Sequence, residues 1–157
     1  MPKTNLQEKL APDHLVDIPD DPEDLKAEVE NLVEPAKKAV EDRLNDPRNA
    51  EQFTFTLQHR DARNKLWEGT FTTKILTVGE RQLVGVMRSR YQGGAPLESL
   101  DASTADINMK LAHLSYSLVN YPRWAEKLRE LKDPGVIDAI YREVASHEAF
   151  FLGWGLD

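Results

Sequence analysis

The residue types most able to do chemistry stand together in QHRDARNK, residues 58–65. In the catalytic loop of one class of phosphoryl-transfer enzymes, an Asp that accepts the substrate proton stands five residues before an Asn that binds a metal ion. Asp61 and Asn64 are only three residues apart, and no glycine-rich phosphate loop precedes them. The stretch separates two runs of alternating apolar and polar residues, so we interpret it as a charged hairpin turn.

The other polar residues form no catalytic constellation. Glu143 and His147 stand four apart on a predicted helix and could supply two metal ligands, but the sequence around them offers no third or fourth ligand. Ser115 and Ser117 lie near His113 without the turn motif that activates a nucleophilic serine. We therefore predict no catalytic residue, no metal site and no cofactor, and we expect a protein that is not an enzyme.

Composition narrows the class further. The 157 residues include no cysteine, so thiolate chemistry, zinc–thiolate sites and disulfides are excluded. The net charge is −7, and residues 1–50 hold seven Lys/Arg against thirteen Asp/Glu, a balance of −6. Binding to nucleic acid is not expected, because phosphate contacts need clustered positive charge. No run approaches the roughly 20 apolar residues of a membrane span, and with no secretory signal we expect an intracellular protein without membrane contact.

The first part of the chain is predicted to be a flexible N-terminal segment followed by one helix. Residues 1–20 contain three prolines among polar residues, and we expect a flexible lead. Residues 21–46 predict an acidic amphipathic helix, which Pro35 should kink or break. Its apolar stripe recurs at steps of three and four residues: Leu25, Val29, Leu32, Ala36, Val40 and Leu44. The stripe packs either within the chain or in a groove of a partner, and Leu25, Val29 and Leu32 are candidate partner-binding residues.

The rest of the chain predicts one α+β domain over residues 51–157. Apolar residues alternate on either side of the charged turn, which predicts an antiparallel β-hairpin over about 51–76. Thr77 and Glu80 have the spacing of a capping box and predict a helix that Gly93-Gly94 ends. Further helices are predicted from about 103 to 119, from Pro122, and from Asp133-Pro134. The expected fold is mainly α-helical, with the hairpin packed on a C-terminal helical bundle. We assign these residues to the core: Trp67, Phe71, Leu111, Leu114 and Ile140.

Two further groups are candidates for contact with a partner. The aromatic end of the chain contributes Phe150, Phe151 and Trp154, which either fold back on the core or meet another protein. A local surplus of positive charge contributes Lys74, Arg81 and Arg88, three candidate docking charges for an acidic partner such as the N-terminal helix of the chain itself. A normal mixed surface explains the same charges and is the interpretation that we favour.

Residues 68–151 carry a series of short motifs in a fixed order. A strand ending in TKILT is followed by VGER at a helix start, a GG stop, LDAST, LAHL, PRW and finally DPGVIDAIYREVASHE. In this order the motifs resemble tail assembly chaperones of long-tailed bacteriophages. They occupy cap and core positions, so the resemblance transfers no catalytic residue.

The resemblance implies a holdase-like assembly factor in the host cytoplasm that binds the tail tube and tape-measure proteins of the same phage. Such proteins are usually absent from the finished particle. The long acidic N-terminal helix departs from the family pattern, so a structural protein of the phage neck or tail, retained in the virion, is the alternative. Association between copies of the chain also stays open.

Overall fold

The computed structural model describes residues 22–154, with the side chains of Pro22, Asp24 and Leu25 left out. The predicted lead over residues 1–20 and the predicted role of the Leu25 side chain therefore lie outside the described part. The elements are helix α1 (Pro22–Leu44), strands β1 (Gln52–Arg60) and β2 (Leu66–Lys74), helices α2 (Val78–Tyr91) and α3 (Ala102–Ser117), strand β3 (Leu118–Asn120) and helix α4 (Pro134–Leu152). Short 3₁₀ segments lie at Pro47–Asn49, Leu97–Ser99 and Arg123–Glu130. The fold class is α+β and mainly helical, as predicted.

The chain divides into two compact units, one ending at Leu44 and the other, here called the body, beginning at Asn45. The first unit contains α1, in which every described side chain except that of Arg43 is exposed. The helix continues through Pro35 without interruption, so the predicted break is wrong. Pro35 removes one main-chain donor, but the helix retains its other hydrogen bonds on both sides.

The hairpin lies where the alternation predicted it. β1 and β2 pair in antiparallel register from Gln52 opposite Lys74 to Arg60 opposite Leu66. Phe55, Leu57 and Phe71 point to one face and are buried there. The opposite face carries Thr side chains, which are well suited to a solvated strand surface.

A third strand extends the hairpin and was not predicted. The helix expected to reach residue 119 ends at Ser117, and Leu118–Asn120 then pairs antiparallel with β2. The sheet order is β1-β2-β3. Thr73, completely buried, donates its hydroxyl to the main-chain oxygen of Ser117 at 3.3 Å, which fixes the point where α3 changes to β3.

Local capping signals in the sequence set the helix starts. Thr77 and Glu80 form a capping box at α2: Thr77 Oγ1 accepts from Glu80 N at 3.2 Å, and Glu80 Oε2 accepts from Thr77 N at 2.9 Å. Asp133 caps α4 just before Pro134, as predicted. The helix predicted from Pro122 is instead a 3₁₀ segment interrupted at Lys127, whose φ and ψ are −127° and 57°.

The core of the body lies between the inner face of the hairpin and helices α3 and α4. It comprises Phe55, Leu57, Phe71, Leu111, Leu114, Ala125, Val136, Ile137, Ile140 and Val144. Four of the five residues assigned to the core are buried, whereas Trp67 packs against the core and is only half-buried. Within residues 22–154, no helix is long and apolar enough to cross a membrane.

Candidate functional site

The apolar stripe of α1 is exposed. Val29 and Leu32 are 55% and 71% exposed, and Val40 and Leu44 are exposed to a similar degree farther along the same helix. The four share one side of the helix, because their spacing follows the helical period. A contiguous row of large apolar side chains in water is unusual for a surface helix and is typical of one that meets a partner.

The C-terminal aromatic residues divide between the two alternatives left open by the sequence. Phe150 and Phe151 are half-buried, so they fold back on the body. The Arg48 guanidinium lies 4.2 Å from the centre of the Phe150 ring, and the ring of Phe151 lies 6.4 Å from that of His147. Phe150 and Phe151 are therefore not the freely exposed anchors that a partner-binding role favours, although such a role stays a prediction for them.

Trp154 remains exposed, at 57%. Gly153 adopts a left-handed conformation with φ of 72°, and Trp154 N then donates to Ala149 O at 2.8 Å. Gly153 N donates to Phe150 O at 3.2 Å. Together the two hydrogen bonds form a Schellman motif, which ends α4 and turns the chain. The motif holds the indole near Arg81, whose guanidinium lies 5.8 Å from the ring centre.

The three candidate docking charges do not form one free patch. Lys74 pairs with Glu80, and Arg81 pairs with Glu148. Arg88 has a buried Nε without a hydrogen-bond partner. Because Lys74 and Arg81 each already pair with a carboxylate of the body, their charges are less available to an acidic partner.

In the charged turn of residues 58–65, the carboxylate of Asp61 accepts hydrogen bonds that hold the turn together. Asp61 Oδ1 accepts from the main-chain N of Arg63 and Lys65 at 2.9 and 3.0 Å, and Oδ2 accepts from Trp67 Nε1 at 2.9 Å. The indole bond and the two main-chain bonds lower the pKa of Asp61. Asn64 supplies the positive φ of 62° that the turn needs. Both carboxylate oxygens are occupied, so Asp61 is poorly placed to act as a base.

A second carboxylate fastens this turn to α4. Asp133 Oδ1 accepts from Gly135 N at 2.8 Å as a helix cap, and Oδ2 accepts from Ala62 N at 3.0 Å. These main-chain donors, Ala62 first, lower the pKa of Asp133. The turn is therefore held in one position relative to the start of α4.

The most buried ionic cluster joins α2, α3 and α4. Glu148 lies between Arg81, with which it pairs, and His113, whose Nε2 is 3.4 Å from Glu148 Oε2. Burial lowers the pKa of His113, while the negative charge of Glu148 opposes that shift. No local sequence pattern pointed to Glu148, because its partners are distant along the chain. The cluster therefore joins three helices of the body.

Glu143 and His147 do not act as a pair. Glu143 is exposed, whereas His147 is 1% exposed and lies 2.8 Å, through Nε2, from the main-chain oxygen of Ala50. The ring of His147 also stacks on that of Phe53 at 5.3 Å. Among residues 22–154, no group of three or more Asp, Glu or His residues is arranged to hold a metal ion.

Among the candidate binding residues, the exposed features that the described residues present are the apolar stripe of α1 and Trp154. No family model matches the chain, and no curated protein or solved structure matches it either. We therefore infer function from the exposed surfaces of the described residues and from the resemblance of residues 68–151.

Proposed function

We propose that this chain is a non-enzymatic tail assembly chaperone of a long-tailed phage. In the host cytoplasm it binds the tail tube protein, the tape-measure protein or both while the tail is assembled, and releases them to the growing particle. The proposal combines the motif order of residues 68–151 with one structural observation, the exposed apolar stripe of α1.

The stripe supports the proposal because burying it would release much of the free energy that binding requires. Val29 and Leu32 are both more than half exposed. Fully covering one Val or Leu side chain is worth about 1.5–3 kcal/mol. A partner that covered the whole stripe would gain several kcal/mol, which is enough to hold an aggregation-prone segment for a limited time.

The acidic residues around the stripe suit a holdase as well. Glu28, Glu30 and Glu34 surround Val29 and Leu32 and are exposed. A complex in which the apolar face is covered would still present these charges to water, and like-charged complexes resist association with one another.

The test is co-expression of the tagged full-length chain with the tail tube and tape-measure proteins of its phage. The soluble fraction of each partner and its capture on the tag are measured for the wild type and for the double variant V29D/L32D. We expect at least a tenfold loss of capture, because two anchors are removed and two charges are placed in the contact.

Lys38→Asp is the matched control. It lies on the same helix, is exposed, and makes the net charge more negative by the same two units as the double variant. Equal losses from both would show that charge rather than the stripe controls capture. Failure of both tail proteins to bind would contradict the proposal. Stoichiometric amounts of the chain in purified virions, measured by mass spectrometry, would make it a structural neck or tail protein instead.

A further inference from the structure

A groove lies on the body beside the charged turn. Two adjoining cavities of about 470 and 490 Å³ are formed by the turn, the segment Arg123–Glu130 and the residues that lead into α4. Both cavities are lined by Lys65, Trp67, Glu130 and Leu131, so they form one continuous surface. We call this surface the Trp67 groove. It involves none of the candidate binding residues chosen from the sequence.

The floor of the Trp67 groove is apolar and fixed in place. Trp67 Nε1 is held by Asp61, and Trp124 Nε1 donates to the main-chain oxygen of Glu68 at 2.9 Å. The two rings pack with their centres 5.0 Å apart, and Leu131 continues the floor. Because these side chains are already ordered, a ligand that packs on them loses little of its binding energy to ordering the protein.

The rim of the groove carries positive charge with few acidic partners. Arg63, Lys65, Arg123 and Lys132 are exposed, and within the described residues none of the four has a carboxylate within 4.0 Å. Lys65 Nζ lies 3.9 Å from the centre of the Trp67 ring. These cations stand out in a chain whose net charge is −7.

The acidic residues of the same lining are largely occupied. Asp61 and Asp133 accept main-chain hydrogen bonds within the turn and the helix cap. Glu130 lies 3.5 Å from Lys127 as an ion pair. These hydrogen bonds leave the carboxylates charged, so the lining of the two cavities holds five cations and four carboxylates. The four rim cations, which have no carboxylate of the described residues within 4.0 Å, are the ones available to carboxylates brought by a ligand.

We propose that the Trp67 groove binds an acidic segment of a partner protein, with a large apolar side chain of that segment packed on Trp67 and Leu131. Carboxylates that flank the apolar anchor pair with the four rim cations. Charge complementarity and a rigid aromatic floor are the two features that peptide-binding surfaces use for specificity and affinity. The inference stands whether or not the partner is a phage tail protein.

A protein segment fits the groove better than a nucleic acid does. Single-strand binders offer open aromatic faces on which successive bases stack. Here one face of Trp67 is covered by Lys65, and the ring packs against Trp124 with an angle of 60° between their planes. The groove therefore accepts one bulky side chain more readily than a row of bases.

The test is an array of about twelve-residue peptides, each with a central Leu or Phe flanked by Glu and Asp, and a matched array in which Gln and Asn replace the acids. Labelled peptides are titrated with the full-length chain by fluorescence anisotropy at low and at moderate salt. We expect saturable binding of acidic peptides that weakens with salt, and at least tenfold weaker binding of their neutral counterparts.

The variant R63E/R123E should weaken binding of the best acidic peptide about tenfold or more, since two favourable pairs become repulsive. R90E/R142E is the matched control: the same double change at two exposed arginines of the body outside the groove. Far-UV circular dichroism verifies that both variants are folded. Equal losses in the two variants, equal binding of neutral peptides, or no peptide bound with a Kd below about 1 mM would overturn the proposal. Tighter binding of a uridine-rich RNA than of any peptide would overturn it too.

Discussion

Helices α1 and α4 carry similar apolar stripes and use them differently. In α4 the stripe is the centre of the core, and these residues are at most 3% exposed: Val136, Ile137, Ile140 and Val144. In α1 the stripe recurs at the same steps, and these residues are at least 55% exposed: Val29, Leu32, Val40 and Leu44. Periodicity therefore predicts which face of a helix is apolar, but the surroundings decide what covers that face.

The largest expected effect tests this contrast directly. Ile140→Ala removes a completely buried side chain and should lower the free energy of unfolding by about 2–5 kcal/mol. Leu32→Ala removes a side chain that is 71% exposed and should change it by less than about 0.5 kcal/mol. Urea unfolding followed by Trp fluorescence measures both. A similar loss in the two variants would mean that the α1 stripe contributes to folding of this chain.

A smaller effect compares a tight and an open position within the body. A methyl group added at Gly69 would lie 2.6 Å from Cγ of Pro122, so Gly69→Ala should cost about 1–3 kcal/mol. Gly85 lies in α2, which has no buried residue, and nothing lies within 4 Å of an added methyl group. Gly85→Ala should gain up to about 1 kcal/mol of helix stability. Thermal unfolding should show a lower midpoint temperature for Gly69→Ala and a higher one for Gly85→Ala. Destabilisation by Gly85→Ala would show that α2 packs more closely than its exposure indicates.

The smallest expected effect is the pH dependence of the unfolding free energy that comes from the buried side chain of His113. The unfolded pKa of His113 is 6.5, and burial lowers the folded pKa below that value. The unfolded state therefore binds the proton first as the pH falls, so stability should decrease from pH 7.5 through 6.5 towards the folded pKa. The carboxylates of Asp46, Asp61 and Asp133, with lowered pKa values, titrate below this window.

The measurement is the difference in unfolding free energy between pH 7.5 and pH 5.5, for the wild type and for His113→Gln. The difference should be smaller in the variant, because the group that titrates has been removed. Any loss of packing in the variant is present at both pH values and cancels. An unchanged difference would show that His113 has the same pKa in the folded and unfolded states, and a larger loss at pH 5.5 in the variant than in the wild type would show that Glu148 raises that pKa.

Local signals in the sequence predicted much of the fold. Alternation located the hairpin, the Thr77–Glu80 spacing located the start of α2, and Asp133-Pro134 located the start of α4. β3 could not be predicted in this way. It has three residues, and its pairing with β2 depends on how α2 and α3 return the chain to the sheet.

The two candidate surfaces differ in the same way. The apolar stripe of α1 is visible in the sequence, because it is a local pattern, whereas the Trp67 groove is not. The Trp67 groove joins the turn near residue 63 to segments near residues 123 and 132, and no local pattern connects them. Trp67 was assigned to the core, which its packing supports, yet its other side forms the groove floor.

The bond from Ala62 N to Asp133 also has a consequence during synthesis of the chain. The two residues are 71 positions apart. At translation rates of about 5–20 residues per second, Asp133 is synthesised roughly 4 to 14 s after Ala62, so this hydrogen bond cannot form before then. During that time the inner face of the hairpin, with Phe55, Leu57 and Phe71, lacks α4 to cover it. Among the described elements α4 is thus synthesised last, and the apolar inner face of the hairpin stays uncovered until this helix packs on it.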